Sequence, residues 1–455
     1  MPASREIENE IKIVESYLSG KIDYEVSVSD LAKHLKSIKT YNETIFISLL
    51  KKFPNDIFGD LVLELPEYYL KKIIENIPAE QLSKAIEDLE SDDATDLLQD
   101  IEQIDEQIAE EILSSLDKED QEDIKRLRQY DEQIAGAYMQ TEVFTASYDE
   151  KIHLAVDRLR DLKQKGELEN VHQVFIVEKL GRLMFTILLE DLITFDFSNS
   201  FKKELEGRED NFKLRHVKDD EDISKVIGLF EDYDLLSLPV TNYQGKLLGR
   251  ITSDDIHDII EERATDQIYK LAGVDDEIEH EESIYQAGKS RLIWLLLNLF
   301  TAIFASVVIG QFEDVLTAYV ALAVLMPIVA SMGGNAGTQS LTIMVRQLAI
   351  GEINIKNAKE AIRKEMILSI VNGLVFAVII GFVAFAWFGN SKIGFIIAAS
   401  MLINLLCAGL IGSMVPLILK RAGVDPAIGS TVVLTTSTDI VGFLSFLGLA
   451  SLVLI

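Results

Sequence analysis

Five apolar runs in the last third of the chain, at roughly 292–312, 315–346, 366–388, 393–419 and 427–455, decide what it can fold into. The hydrocarbon core of a bilayer is ~30 Å thick and takes about 20 mostly apolar residues per helical crossing. Nothing in that core satisfies an open backbone, so each run is expected to be a helix. The second run exceeds one straight crossing; it either tilts or continues into the cytoplasm near Arg346. Basic residues then set the direction. Lys289 and Arg291 precede the first span, Arg346, Lys356, Lys359, Arg363 and Lys364 crowd the loop between the second and third, and Lys420 and Arg421 follow the fourth. The opposite loops hold only Lys392. The positive-inside rule puts the three basic clusters in the cytoplasm and the C-terminus outside.

The rest of the 455-residue chain is chemically different. From Arg291 onward there are nine Lys or Arg and seven Asp or Glu, a net charge of +2, whereas the residues before it carry 34 basic and 67 acidic side chains, a net of −33. An acidic aqueous part therefore precedes the membrane part, with a boundary near residue 290. The opening MPASREIENEIKIVESYL lacks the apolar centre of a secretory signal, so this part is expected in the cytoplasm. Its acidity argues against nucleic acid as a partner, because phosphates call for basic patches. Small cations are the natural partners, beside the plain use of charge for solubility. The single cysteine, Cys407, lies in an apolar run, which excludes an internal disulfide and argues against a thiolate metal site.

Two repeats organise the acidic part. Leu65, Ile77, Leu89, Ile101 and Leu113 recur every twelve residues, and Pro66 and Pro78 follow two of them at what reads as a first helical turn. Short helices of about one repeat each, stacked as a small solenoid, fit the pattern; an amphipathic bundle is the alternative. The second repeat has an offset of 64: FIVEKLGRLMFTILLEDLI overlays PVTNYQGKLLGRITSDDIHDII, pairing Gly181 with Gly245, Leu183 with Leu247, Ile187 with Ile251 and Asp191 with Asp255. Each copy reads as strand, Gly-containing hairpin turn, strand, then a helix opened by acidic residues. Residues 137–262 here resemble a tandem pair of CBS domains, which implies ligand sensing. The second copy retains Gly249, Thr252 and Asp255 in the G-x-x-T-x-x-D spacing that this family uses on ATP or another adenine nucleotide, whereas the first has Phe185, Leu188 and Asp191. An ordinary helix cap is the other use for Thr252 and Asp255.

Within the second apolar run, PIVASMGGNAGTQSLTIMVRQLA is out of place in a membrane. Close helix packing accounts for Gly333, Gly334 and Gly337. It does not account for Asn335 and Gln339, whose spacing of four puts both amides on one face. Amide oxygens and the carbonyls around Gly334 suit a water-filled cation passage, since hard cations take oxygen ligands. In the fifth run Asp439 is read as the one acidic residue well inside any span, with Thr431, Thr435, Thr436 and Thr438 around it. An intramembrane carboxylate is functional by default, a neutral Asp bonded to a neighbouring helix being the alternative. No phosphate loop, nucleophile elbow or zinc-ligand cluster offers an enzyme.

Taken together, P-x-x-x-x-x-G-G-N-x-G-x-Q-S at 327–340, GVDPAIGS at 423–430 and TDIVGF at 438–443 resemble the MgtE family of magnesium channels or transporters, over essentially the whole chain. The fold it implies is multidomain: an all-α, solenoid-like acidic N domain (1–136), the α/β CBS pair (137–262), a connecting plug helix (263–290) and an α-helical pore domain of five spans (291–455). The resemblance implies a homodimer in the bacterial plasma membrane whose pore lies on the twofold axis. There Asp439 of each subunit holds Mg2+ through its water shell, with Gly334, Asn335, Gln339, Thr431 and Thr435 lining the pore. It also implies regulatory Mg2+ on Asp60, Asp92, Asp96, Asp222, Asp234, Asp255, Asp258 and Asp266. Thr431, Ser224 and Gln267 depart from the family pattern, where Asn or acidic residues are common. The expected function is Mg2+ uptake through a Mg2+-selective channel closed by cytosolic Mg2+. The alternatives are an ion-coupled divalent cation carrier and a membrane-anchored CBS ligand sensor.

Overall fold

The computed structural model describes residues 2–21, 26–166, 168, 170–212, 214–274, 284–350, 352–354 and 357–455. Part of the expected plug segment, 275–283, and Lys356 lie outside the described residues. The chain divides into two compact units, Met1–Glu261 and Glu262–Ile455. Mostly helical, with small sheets, it includes five helices long and apolar enough to cross a membrane.

The first unit opens with short helices: α1 (Pro2–Leu18), α2 (Val28–Tyr41), α3 (Glu43–Leu50), α4 (Asn55–Leu63), α5 (Leu70–Asn76), α6 (Ala79–Glu87), α7 (Ser91–Ile104), α8 (Glu106–Ser115) and α9 (Lys118–Leu127). Side-chain caps start several of them. Ser27 accepts from the Asp30 amide, Asn42 from Ile45, and Asp105 from Gln107 and Ile108. Such caps satisfy amides that the first turn leaves open. Pro66 and Pro78 occupy cap positions, one residue earlier than the sequence suggests, where a missing N–H costs nothing. The twelve-residue period is a burial period: Leu65, Ile77 and Ile101 are buried, and Leu89 and Leu113 pack against the same core.

Next come two sheets of identical plan. β1 (Thr145–Ser147) runs parallel to β2 (Gln173–Val177), which is antiparallel to β3 (Leu183–Leu188); α10 (Ile152–Lys165) joins β1 to β2. After α11 (Leu189–Leu192) and α12 (Phe201–Leu205), the plan repeats with β4 (Val217–Lys218), α13 (Ile223–Tyr233), β5 (Ser237–Thr241) and β6 (Leu247–Thr252). The offset of 64 holds down to the irregularity in each hairpin, at Ile176/Val177 and at Val240/Thr241. Gly181 and Gly245 both have φ +77, the left-handed turn conformation that excludes most side chains. The turns dock reciprocally: Leu183 N–H donates to Gly245 O at 2.9 Å and Leu247 N–H to Gly181 O at 3.1 Å, the signature of a local twofold. The leading strands β1 and β4, of three and two residues, escaped the sequence reading because so short a run has no period.

α14 (Ser253–Ala272) runs unbroken through residue 262, where the sequence suggested a boundary, since no Gly or Pro interrupts it. In the second unit α15 (Ile284–Gly310) is followed by a short α16 (Glu313–Ala318) and by α17 (Val320–Ala349). The long second run is thus divided at Tyr319, and α17, 30 residues long, carries the rest of it on past Arg346 as one helix. α18 (Ala358–Phe388), α19 (Ser391–Arg421) and α20 (Ser430–Leu454) complete it. At one end of the bundle Lys420 Nζ donates to Leu348 O of α17 at 3.1 Å. At the other, Lys392 Nζ donates to Val453 O at 3.2 Å and Tyr319 Oη to Leu454 O at 3.3 Å. The C-terminus therefore lies with Lys392, away from Lys420.

Glycines set the closest helix approaches. A Cβ on Gly412 in α19 would lie 2.6 Å from Gly337 O in α17, and one on Gly394 would lie 2.7 Å from Gly381 O in α18. Gly412→Val should cost about 1–3 kcal/mol by overpacking. The expected readout is a lower unfolding temperature of the detergent-solubilised protein. Gly448→Ala, whose added methyl meets nothing within 4 Å, should leave it unchanged or slightly raised.

Candidate ion pathway and regulatory acids

α17 is a helix with two incompatible faces. One packs into the bundle through residues such as Leu325, Val329, Gly333, Gly337, Leu341 and Met344. The other exposes Ser331, Asn335, Thr338, Gln339, Thr342 and Arg346. That stripe runs roughly 22 Å at 1.5 Å per residue, most of a membrane crossing. Asn335 Nδ2 reaches Ser331 Oγ at 3.4 Å, and Thr338 Oγ1 donates to Gly334 O at 2.9 Å. The glycines separate by role. Gly333 and Gly337 lie against Asn404 and Leu434, whereas Gly334 has open space. Thr342 escaped the sequence reading, and Arg346 was read there only as a cytoplasmic charge, although their spacing of seven and eleven from Asn335 continues the face.

α20 supplies acceptors. Thr435 Oγ1 donates to Thr431 O at 2.9 Å, Thr436 to Val432 O at 2.6 Å, Ser437 to Val433 O at 2.7 Å and Thr438 to Leu434 O at 3.1 Å. Each hydroxyl proton is thereby spent on the helix's own backbone. What the half-exposed hydroxyls at Thr435 and Thr436 offer outward is oxygen lone pairs. Asp439, one turn beyond Thr435, is half-buried and has no hydrogen bond or ion pair among the described residues. Thr431, expected in the lining, donates to Leu271 O near the end of α14 at 3.0 Å.

A polar joint surrounds that contact. Lys270 Nζ sits between Asp266 Oδ2 at 2.5 Å and Asp425 Oδ2 at 3.1 Å. Asp266, expected to hold regulatory metal, thus already has a cation, and it lies in the second unit with Asp425. A second carboxylate lies within the apolar helices. Glu365, on α18 one residue before the run as read from sequence, is buried and accepts from Ser340 Oγ at 2.7 Å. Asp439 thus shares the apolar helices with Glu365, which lies just outside the run itself. Helix α18 starts earlier than its apolar run, so burial of Glu365 was not legible from hydropathy.

In the first unit acids crowd where α7 meets the start of α14. Asp92 is 6% exposed, and burial and the charges of Asp255 and Asp93 push its carboxyl well above the ordinary range. Asp93 is pushed up to about 7 by burial and by Asp255, Asp60, Asp254 and Asp258. Glu90 also rises to about 7, mainly through burial, with Arg250 opposing. Burial, Asp254, Glu261 and Glu64 likewise raise Asp258. Arg250, buried, donates to Gln140 Oε1 at 3.1 Å and Asn170 O at 2.9 Å and reaches Glu90 Oε1 at 3.5 Å. The cluster thus unites Asp60, Asp92, Asp255 and Asp258 with Glu90, Asp93 and Asp254, which sequence reasoning missed although the Asp92-Asp93 and Asp254-Asp255 pairs were visible.

Among the described residues no three His, Cys, Asp or Glu side chains converge to grip an ion directly. Desolvated like charges with little cationic compensation nevertheless suit Mg2+, which keeps several waters when bound. Asp96 lies exposed one turn beyond Asp92. Asp222 caps the start of α13 by accepting from Ser224 N–H at 2.8 Å, and Asp234 ends the same helix with φ +48. Those two are separated by a whole helix, roughly 16 Å at 1.5 Å per residue, and cannot share one ion.

The trio assigned to a nucleotide is internally engaged. Asp255 Oδ2 accepts from Thr252 Oγ1 at 2.5 Å and from Thr252 N–H at 3.0 Å, and a Cβ on Gly249 would overlap Gln140 O.

Sequence models of known families match three segments: "Divalent cation transporter" (MgtE) at 326–449, "MgtE intracellular N domain" at 26–133 and "CBS domain" at 212–262. The magnesium transporter MgtE of Enterococcus faecalis is 34% identical over 331 residues, 72% of this chain and 71% of the relative. That of Bacillus subtilis is 32% identical over 341 residues, 74% of each chain. The solved cytosolic domain of the Mg2+ channel MgtE in complex with ATP aligns at 24% identity and a TM-score of 0.47, covering 55% of this chain and 93% of that one. With more than two thirds of such a relative matched at this identity, the chain belongs to the MgtE family of magnesium transporters.

Proposed function

We propose that the chain forms a Mg2+-selective channel for magnesium uptake, with its passage along the polar face of α17 and past Asp439, closed by cytosolic Mg2+ bound at the acidic cluster. The observation that carries this reading is the exposed stripe from Ser331 to Arg346 on a helix that must cross a membrane. Lipid would leave its amides and hydroxyls without partners at several kcal/mol each. A second copy turned about a twofold axis gives the stripe a non-lipid neighbour, so the working unit is a homodimer with the stripes and the two Asp439 side chains around water. Mg2+ dehydrates reluctantly and prefers octahedral oxygen. Carboxylates and back-bonded hydroxyls that touch its water shell favour it over Na+ and K+ by charge, and over Ca2+ by the size and rigidity of the hydrated ion.

In this reading residues 1–136 and 137–262 are the cytoplasmic sensor, 263–290 the connecting segment and 291–455 the pore, in the bacterial plasma membrane with the C-terminus outside. At low Mg2+ the carboxylates around Asp92 and Asp255 repel; bound Mg2+ removes the repulsion, orders the sensor and favours closure. A coupling of about 1–3 kcal/mol is typical of such linkage. Gly249, Thr252 and Asp255, which pack and cap in the second copy, stay the candidate contacts for an adenine nucleotide.

Two experiments test it. In proteoliposomes, Asp439→Ala should abolish or severely reduce Mg2+ flux while the dimer still assembles, and normal flux would overturn the pathway. In the same assay Asp92→Asn combined with Asp255→Asn should relieve inhibition by cytosolic-side Mg2+; unchanged inhibition would overturn the gating claim.

The second experiment uses pH. Carboxyls such as Glu90 and Asp93, raised to about 7, bind protons more readily folded than unfolded. Their stabilising contribution is complete below their unfolded values of about 4 and is lost as pH rises through about 7. In Mg2+-free buffer of fixed ionic strength, protection of the full chain's cytoplasmic part from protease should fall as pH rises from about 4 to about 7 and level off above it. Saturating Mg2+ should flatten or reverse that slope.

A further inference from the structure

Asn404 lies in the middle of α19 and is fully buried among apolar helices. Its Nδ2 donates to Val329 O of α17 at 2.8 Å, while its Oδ1 has no hydrogen-bond partner. A buried amide left half satisfied is costly, and replacing it with an apolar side chain of equal size would remove that cost. Its surroundings indicate what it does. On one side a Cβ on Gly333 of α17 would overlap the amide nitrogen; on the other, a Cβ on Gly442 of α20 would lie 2.8 Å from it. The carboxamide is therefore a spacer between two bare glycine surfaces on different helices. Gly333 stands two residues before Asn335, on the opposite face of α17, and Gly442 stands three residues after Asp439 on α20. Whatever fixes the Gly333–Gly442 gap also fixes how the polar face of α17 stands relative to the Asp439 carboxylate.

We propose that Asn404 is a positioning residue for cation discrimination: wedged between Gly333 and Gly442 and tied to Val329 O, it sets the α17–α20 separation and hence the size of hydrated ion that Asp439 accepts. This rests on the reading that α17 and Asp439 form the pathway. The hydrogen bond keeps the wedge from rotating, and the glycines let it sit at backbone distance from both helices. Selection by size depends on a rigid gap, because a gap that relaxes also admits the larger, more easily dehydrated Ca2+.

The test is the ratio of Mg2+ to Ca2+ flux in proteoliposomes, with dimer content and unfolding temperature recorded for every variant. Asn404→Leu keeps the branched shape but loses the donor, and Asn404→Ala empties the wedge. Both should still conduct Mg2+ but lower the ratio by about tenfold, equivalent to ~1.4 kcal/mol of discrimination. Gly442→Ala presses on the amide from the other side and should also change the ratio. Adding Asn404→Ala to it should restore the unfolding temperature that Gly442→Ala lowers, because the added methyl then has room. A packing role alone would move stability but not the ratio. Should Asn404→Ala fail to assemble, Gly442→Ala reads the same gap. Unchanged ratios in the assembled variants, with Asp439→Ala silent, would overturn the assignment of Asn404 and leave the pathway standing. Normal flux in Asp439→Ala would instead remove the pathway on which the assignment rests.

Discussion

A polar side chain inside a bilayer has no solvent to turn to, and the second unit is arranged around that constraint. α17 buries Gly333 and Gly337 so that its backbone lies close to its neighbours, which leaves Ser331, Asn335, Thr338, Gln339, Thr342 and Arg346 together on the remaining side. α20 answers with hydroxyls whose protons are already committed to its own carbonyls, and with a carboxylate that has no protein partner among the described residues. On α20 the donors are spent and acceptors are left over. Among transported species, that imbalance suits a cation that arrives with its water.

Charge does comparable work in the first unit, with the opposite economy. Buried carboxylates around Asp92 repel one another and are desolvated, and the buried Arg250 reaches only Glu90 among them. The fold therefore holds an instability that protonation of these carboxyls relieves, and that Mg2+ relieves in the function proposed above. α14 begins among these acids, at Asp254 and Asp255, and ends at Lys270 and Leu271, which hold Asp425 and Thr431 beside the start of α20. At that joint the charge facing Asp266 and Asp425 is the Lys270 ammonium.

Periodic features were legible in the sequence, and long-range pairings were not. The offset of 64 carried through to matching hairpin irregularities, because a duplicated segment repeats its turn glycines and its apolar alternation together. The five crossings were legible from hydropathy, apart from the break at Tyr319 and the early start of α18, neither of which alters mean apolarity. Lys270 and Asp425 are 155 residues apart, and Glu365 meets Ser340 across 25. No local period links such pairs. Asp222 and Asp234 matched a family pattern by position, yet their local work is to start and end one helix, which position alone does not reveal.

Whether the polar face of α17 meets water is the claim on which the account turns, and the chain's single cysteine makes it measurable. In a Cys407→Ala background, Asn335→Cys, Thr338→Cys and Thr342→Cys can be exposed in proteoliposomes to a charged, membrane-impermeant thiol reagent. Val378→Cys on the outward face of α18 serves as the lipid-facing control. The account predicts that the α17 cysteines react, that their reaction blocks Mg2+ flux, and that cytosolic-side Mg2+ slows it, while Val378→Cys stays unmodified. Unreactive α17 cysteines in a protein that still transports Mg2+ would contradict it.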